Sequence, residues 1–338
     1  MNIPLAIVGV GNWGFNHVRT FYQLSNCEVR LVCDLSEARL QKVREISPSI
    51  TITNDYQQII KDDNIAAVVI ATDAETHYGL AKQALNAGKA VLVEKPITLD
   101  LREAAELVEL AERRGQVLMV GHLLLYHPIV TALKNFLSSG EWGEIFYIYS
   151  TRVNLGTLRT TENALWSLAP HDISVMMHLV GDSPVVVNAV GNSYIKPLVQ
   201  DVVFFSLNFH NNIMGHGQAS WLDPNKIRQF TIVSRKKMAV FDDVEPREKL
   251  RIYDKGYVDS KEYFSYGEQY TLRDGDIFIP AVKMFEPLKL ECQHFLDCVA
   301  NGTQPLTDGK NGFDVLRVLT AAQRSLDQGG MPVRVADI

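Results

Sequence analysis

The chain has 338 residues, of which 46% are hydrophobic and 21% charged, with a formal net charge of -6. That length is large for one hydrophobic core and natural for two domains, and an acidic balance with no Lys/Arg block beyond Arg235-Lys236-Lys237 argues against nucleic acid as a partner. No apolar run approaches the roughly 18 residues a membrane span needs, the first residues lack the basic flank of a signal peptide, and Cys27, Cys33, Cys292 and Cys298 show no C-x-x-C spacing, so the expectation is a cytoplasmic protein with reduced thiols.

Residues 1–121 alternate short apolar runs with amphipathic segments. IPLAIVGV, CEVRLVCD, SITIT, IAAVVIAT, KAVLVEK and GQVLMVG predict strands, and the segments at about 13–24, 36–46, 55–61, 76–87 and 100–114 predict the helices between them. Strands rich in Val, Ile and Ala on both faces, alternating with helices, imply a parallel sheet covered on both sides. The predicted class is α/β, with a doubly wound Rossmann sheet over 1–121.

After Gly121 the texture changes. A helix is expected at about 127–139, and a second at about 170–180 that starts after Pro170. The longer runs EIFYIYSTRVN, PVVVNAVGN, DVVFFSLNFHNNIMGHGQASW, RQFTIVSRKKMAVFDD and KLRIYD read as strands, with hairpin turns at Asn211-Asn212 and Arg235-Lys236-Lys237. Residues 122–338 are therefore expected to form an α+β domain on a broad, mostly antiparallel sheet. Two helices near 286–300 and 309–327 close the chain and could pack back on the first domain.

Gly9-Val10-Gly11-Asn12-Trp13-Gly14 lies between the first predicted strand and the first predicted helix. In such a loop the first glycine permits the turn, the second lets backbone approach a pyrophosphate, and the third lets helix and strand pack closely. Free N–H groups at the helix start then bind the phosphates. Asp34 ends the next strand twenty positions after Gly14, where a carboxylate accepts hydrogen bonds from the adenosine ribose and repels a 2′-phosphate. The cofactor expected is NAD.

Lys95 falls at the carboxyl end of the fifth strand, the edge where doubly wound sheets bind ligands. A lysine beside Val91, Leu92 and Val93 needs a partner or a ligand; the plain alternative is a structural pair with Glu94. Pro96 makes a cis bond accessible, and a cis bond there would aim the lysine across the cleft. Pro170 at a first helical position would put His171 in the first turn, where the helix dipole keeps an imidazole neutral and able to act as a general base. His171 and His178 are seven apart with no Cys or Glu to complete a ligand set, so no metal is expected. Neither G-x-S-x-G nor H-E-x-x-H occurs.

Together, GVGNWG, ATDAETHYGLAKQALNAGKAVLVEKP, LWSLAPHDISVMMHLVG and EPLKLECQHFLDCVANGTQPLTDG resemble the Gfo/Idh/MocA oxidoreductases, with EKP the most specific segment. The resemblance implies that Lys95 hydrogen-bonds the reacting hydroxyl, that His171 is the acid/base, and that Thr72, His77 and Glu94 lie near the cofactor. Ser167 stands where many members carry aspartate, and Asp73 where they carry proline. Within the family, TRVNLGTLRTTENALWSLAPHD looks most like members acting on nucleotide sugars such as UDP-N-acetylglucosamine, oxidised at the 3-hydroxyl. Arg152 and Arg159 would hold the diphosphate, with Asn163, Trp166 and Ser167 on the sugar. A dehydrogenase of a free monosaccharide or inositol, a deoxysugar ketoreductase and a non-catalytic NAD-binding regulator stay open beside it. A homo-oligomer built through the C-terminal sheet is also expected.

Overall fold

The structure is a computed structural model and describes residues 2–156, 159, 162–259 and 270–338. The chain divides into two compact units, Met1–Tyr126 with Phe285–Leu316, and His127–Met284 with Arg317–Ile338.

The first unit begins with β1 (Ile3–Val8), α1 (Asn12–Tyr22), β2 (Cys27–Cys33), α2 (Glu37–Ile46), β3 (Thr51–Thr53), α3 (Gln57–Lys61), β4 (Ala67–Ile70), α4 (His77–Asn86), β5 (Ala90–Glu94), α5 (Leu101–Arg114) and β6 (Leu118–Gly121). Among the described residues these strands form a parallel six-stranded sheet in the order β3-β2-β1-β4-β5-β6. The order reverses between β1 and β4, so the carboxyl ends of those strands mark the switch point of a doubly wound sheet. Val68, Val69 and Ile70 of β4 are fully buried, as strands covered on both faces require. Helix α5 shows local and global signals in agreement: the Asp100 side chain accepts the N–H groups of Arg102 and Glu103, and Gly115 ends the helix at φ 62°.

The second unit contains α6 (Pro128–Ser138), β7 (Ile145–Val153), α7 (Ala164–Val180), β8 (Val186–Asn192), β9 (Val202–Asn208), β10 (Met214–Ser220), β11 (Ile227–Ser234), β12 (Met238–Asp242), β13 (Leu250–Asp259) and β14 (Tyr270–Phe278). The chain then runs through α8 (Pro287–Asn301), α9 (Gly309–Asp327) and β15 (Val333–Arg334). Nine described strands pair in the order β14-β13-β12-β11-β7-β10-β9-β8-β15, antiparallel except for β7 with β10. The β9–β10 connection carries Asn211 at φ 57° and Asn212 at φ 61°, a left-handed pair that asparagine tolerates and a tight hairpin needs.

Two expectations change here. Residues 122–338 do not stay together, because Phe285–Leu316 belong with the first unit. Leu288, Cys292, Phe295 and Leu296 of α8 share a buried core with Leu5, Val18 and Phe21, and Phe295 meets Phe21 edge to face at 6.4 Å between centroids. Full burial of a phenylalanine contributes about 1.5–3 kcal/mol, and Leu288, Cys292 and Leu296 add to it in the same core.

The second change concerns α7, which begins at Ala164 rather than after Pro170. Asn163 caps it by accepting the Trp166 N–H at 3.1 Å. Pro170 sits inside the helix and removes one backbone hydrogen bond, a cost of about 3 kcal/mol in an isolated helix. Complete burial of Leu165, Ala169, Ile173 and Met176 around the same stretch offsets it.

Candidate active site

The glycine loop does three different jobs with three glycines. Gly9 has φ 84°, and a Cβ there would meet the Ala71 carbonyl oxygen at 2.7 Å. A Cβ on Gly14 would lie 1.8 Å from the Gly9 carbonyl oxygen, so helix and loop touch through the missing side chain. A Cβ on Gly11 would meet nothing within 4 Å. That open cradle stands at the first residue before α1, whose first turn has neither an acidic residue nor a side-chain cap. Unoccupied N–H groups beside open space fit a pyrophosphate. Asn12 and Trp13 form the exposed start of the same helix.

Asp34 follows β2 and is 8% exposed. Its Oδ2 accepts the Val10 N–H at 2.7 Å and its Oδ1 the Ser36 N–H at 2.8 Å, so the carboxylate braces the glycine loop. Each oxygen keeps a second lone pair for a ribose hydroxyl. Arg39 lies 3.8 Å from Oδ2 and softens, without cancelling, the repulsion of a 2′-phosphate. NADH should therefore bind more tightly than NADPH by about 1.5 kcal/mol or more. Titration of both dinucleotides measures this, and equal dissociation constants would count against the role given to Asp34.

Beside the loop, Thr72 Oγ1 bonds Thr76 Oγ1 at 2.7 Å. His77 is buried, with Nδ1 2.8 Å from the Pro96 carbonyl oxygen and Nε2 3.1 Å from that of Thr72. Burial holds its imidazole below the ordinary range against the pull of those two carbonyls. The ring's single N–H donates to one of these carbonyls while the other nitrogen faces the second, so His77 ties the segment after β4 to the turn after β5. This bracing holds the Thr72 and Pro96 segments in place.

Lys95 is half-buried and follows Glu94, the last residue of β5; the Lys95–Pro96 bond is cis. The Glu94 carboxylate accepts the Lys95 backbone N–H at 3.2 Å through Oε2, while Oε1 lies 2.8 Å from His17 Nε2. Burial alone would raise the Glu94 carboxyl, but the His17 hydrogen bond and charge, with Lys95, hold it below the usual carboxylate range. Glu94 thus contacts the lysine's own backbone and α1. His17 is the residue sequence reasoning passed over, because its partner lies 77 positions away.

In the second unit, α7 presents a different set. His171 is its eighth residue, so the first-turn dipole does not act on the ring as expected. The helix is anchored by its neighbour: Arg152 Nε and Nη2 both lie 2.7 Å from Asp172 Oδ1, with both side chains buried. Arg152, expected to hold a diphosphate, is occupied by this pair. Asn163, expected on the sugar, spends its oxygen on the Trp166 N–H and its amide nitrogen on Gln200 and Gln323, each at 2.9 Å. Trp166 Nε1 also donates to Gln323, at 3.0 Å. Ser167 is buried, and exposed Arg159 meets Glu162 at 3.0 Å. Among the described residues, no three His, Cys, Asp or Glu side chains gather as a metal site, and no helix is long and apolar enough to cross a membrane.

A doubly wound parallel sheet with this loop defines an NAD-binding oxidoreductase domain. The family description "Oxidoreductase family, NAD-binding Rossmann fold" matches residues 3–122, and "GFO/IDH/MocA C-terminal domain" matches residues 130–240. The chain belongs to the Gfo/Idh/MocA oxidoreductase family. It is 25% identical to the scyllo-inositol 2-dehydrogenase (NAD(+)) of Bacillus subtilis, over 98% of this chain and 96% of that one. Inositol 2-dehydrogenase of Salmonella typhimurium is 29% identical over 54% of this chain, and the match spans 56% of that enzyme's length. Among solved structures, UDP-N-acetylglucosamine 3-dehydrogenase from Acidithiobacillus ferrooxidans superposes with a TM-score of 0.80 at 23% identity, covering 97% of this chain and 99% of that one.

Proposed function

We propose that the protein is an NAD-dependent dehydrogenase that oxidises a secondary hydroxyl of a polyhydroxylated ring, with Lys95 and His171 as its catalytic pair. The observation that carries this reading is the placement of Lys95 at the carboxyl end of β5, in the unit whose glycine loop leaves an open cradle at Gly11. When bound, NAD supplies the acceptor for the hydride. Lys95 donates a hydrogen bond to the substrate oxygen and stabilises negative charge as it develops there. His171 takes the hydroxyl proton.

Two substrate readings stand beside each other. A nucleotide sugar, UDP-N-acetylglucosamine oxidised at its 3-hydroxyl, has the similarity to the Acidithiobacillus ferrooxidans enzyme in its support. A free cyclitol or monosaccharide has the two inositol dehydrogenases. The ion pair of Arg152 with Asp172 favours the second, because a diphosphate needs cationic donors that are not already spent. We therefore give the free ring first place.

The test is turnover with NAD on myo-inositol, scyllo-inositol, N-acetylglucosamine and UDP-N-acetylglucosamine. Remote binding energy from a nucleotide would raise kcat as well as affinity. A kcat/KM for UDP-N-acetylglucosamine about tenfold or more above every free ring would overturn the preference and restore the nucleotide reading. NAD binding with no turnover on any ring would point to the regulator.

The second unit also supports a homo-oligomeric partner. Tyr147, Tyr149, Met214 and Phe204 are exposed on one face of its sheet, and a second copy covering them is the partner we propose, measurable as mass in solution.

A further inference from the structure

We propose that His17 is a positioning residue for Lys95, acting through the Glu94 carboxylate, so that the helix starting at the glycine loop also fixes the lysine. This rests on the reading of Lys95 as catalytic. Three groups carry it. His17 lies on α1 and is fully buried. Its Nε2 is 2.8 Å from Glu94 Oε1, while Glu94 Oε2 accepts the Lys95 backbone N–H at 3.2 Å. One carboxylate therefore bridges α1 and the residue that does the chemistry.

The bridge is tightly confined. A Cβ on Gly121, the partner of Glu94 in β6, would lie 3.0 Å from Glu94 Oε2. On its far side the His17 ring is backed by Cys292, whose Sγ is 3.7 Å from Nδ1. With both oxygens engaged and glycine opposite, the carboxylate has little freedom to rotate. Lys95 inherits that restriction through its own backbone. A buried carboxylate–imidazole pair contributes little net stability compared with apolar side chains of the same shape. Placement of the lysine is a role that apolar side chains would not fill.

The charges facing Glu94 are consistent with a single ionised carboxylate beside the lysine. Burial, and then the Glu94 charge itself, raise the Glu291 carboxyl of α8 well above its usual range, which disfavours a second anion there. Burial brings His122, just past β6, down to about 4, which disfavours a cation there. That leaves the Glu94 anion, the His17 ring and Lys95 as the interacting set. Loss of the His17 donor frees one oxygen of Glu94, and the lysine loses both its fixed direction and part of its counter-charge.

The experiment uses the full chain with saturating NAD and a ring substrate that the native protein oxidises. His17→Phe keeps the ring shape and removes the donor; His17→Gln restores an amide donor near the Nε2 position. His17→Phe should lower kcat about tenfold or more, since a small misplacement of a reacting group is costly. NADH affinity should stay within about twofold, and His17→Gln should recover most of the loss. In a Lys95→Met background His17→Phe should lower kcat no further, because it acts through the lysine. An equal proportional loss in that background, or a normal kcat with only the melting temperature reduced, overturns the proposal. A Lys95→Met protein with near-normal activity would instead sink the reading of Lys95 itself, and this inference with it. Should His17→Phe fail to fold, Glu94→Gln keeps the shape, removes the charge and takes its place with the same expected loss and the same non-additivity.

Discussion

Lys95→Met is expected to lower kcat by about 10²-fold or more, because it removes the group we propose as the partner of the substrate oxygen while leaving an unbranched side chain of similar length. NADH affinity should change by no more than about twofold, since the cradle at Gly11 and the Asp34 carboxylate are untouched. The loss should fall on kcat and kcat/KM together, the signature of an interaction made in the transition state. Stability should hold. Glu94 would lose its charged neighbour, but keeps His17 and the backbone N–H of residue 95 as donors. Steady-state kinetics and a thermal melt on the same preparation check this, and near-normal turnover would remove the lysine from the chemistry.

The first sheet was legible because each of its signals is local. Val-rich runs, intervening amphipathic segments and three glycines at fixed spacing lie within reach of one another along the chain, and the parallel sheet has one common solution for them. The asparagine hairpin was legible for the same reason, as it depends on two residues, whereas the cis bond at Pro96 was expected from the family resemblance of the EKP segment.

What escaped depended on partners far apart in sequence. His17 meets Glu94 across 77 positions, His122 meets Asn311 across 189, and Arg152 meets Asp172 across 20. Nothing in the stretch around Arg152 tells a buried counter-ion from a substrate anion. The start of α7 misled for a different reason: Pro170 fits a first helical position well, and it outweighed the weaker signal of Asn163 before Ala-Leu-Trp, which was the true cap. The return of Phe285–Leu316 to the first unit was open in the sequence as a packing of the closing helices on the first domain; what a pass along the chain does not display is the reason, Phe295 and Leu296 completing the core around Phe21.

The two glycines that flank Asn12 and Trp13 should fail in opposite ways when each is given one methyl group. At Gly14 the new Cβ would sit 1.8 Å from the Gly9 carbonyl oxygen, a backbone atom that cannot step aside without moving β1 or α1. Overpacking against backbone costs about 3 kcal/mol or more, so Gly14→Ala should lower the melting temperature even with no cofactor present. At Gly11 the new Cβ meets no protein atom within 4 Å, and the backbone there has φ -64°, which alanine adopts. Gly11→Ala should therefore melt like the native protein without cofactor. Its methyl would instead stand in the space where the pyrophosphate approaches the N–H groups of α1, and NADH affinity should fall about tenfold or more. Melting each variant with and without NADH separates the two effects, because a ligand that binds the native state raises its stability in proportion to affinity. The native protein should gain stability from NADH, and Gly11→Ala should gain much less from the same concentration. An unchanged gain in Gly11→Ala would mean that the dinucleotide does not pass over this loop, and the cradle before α1 would need another occupant.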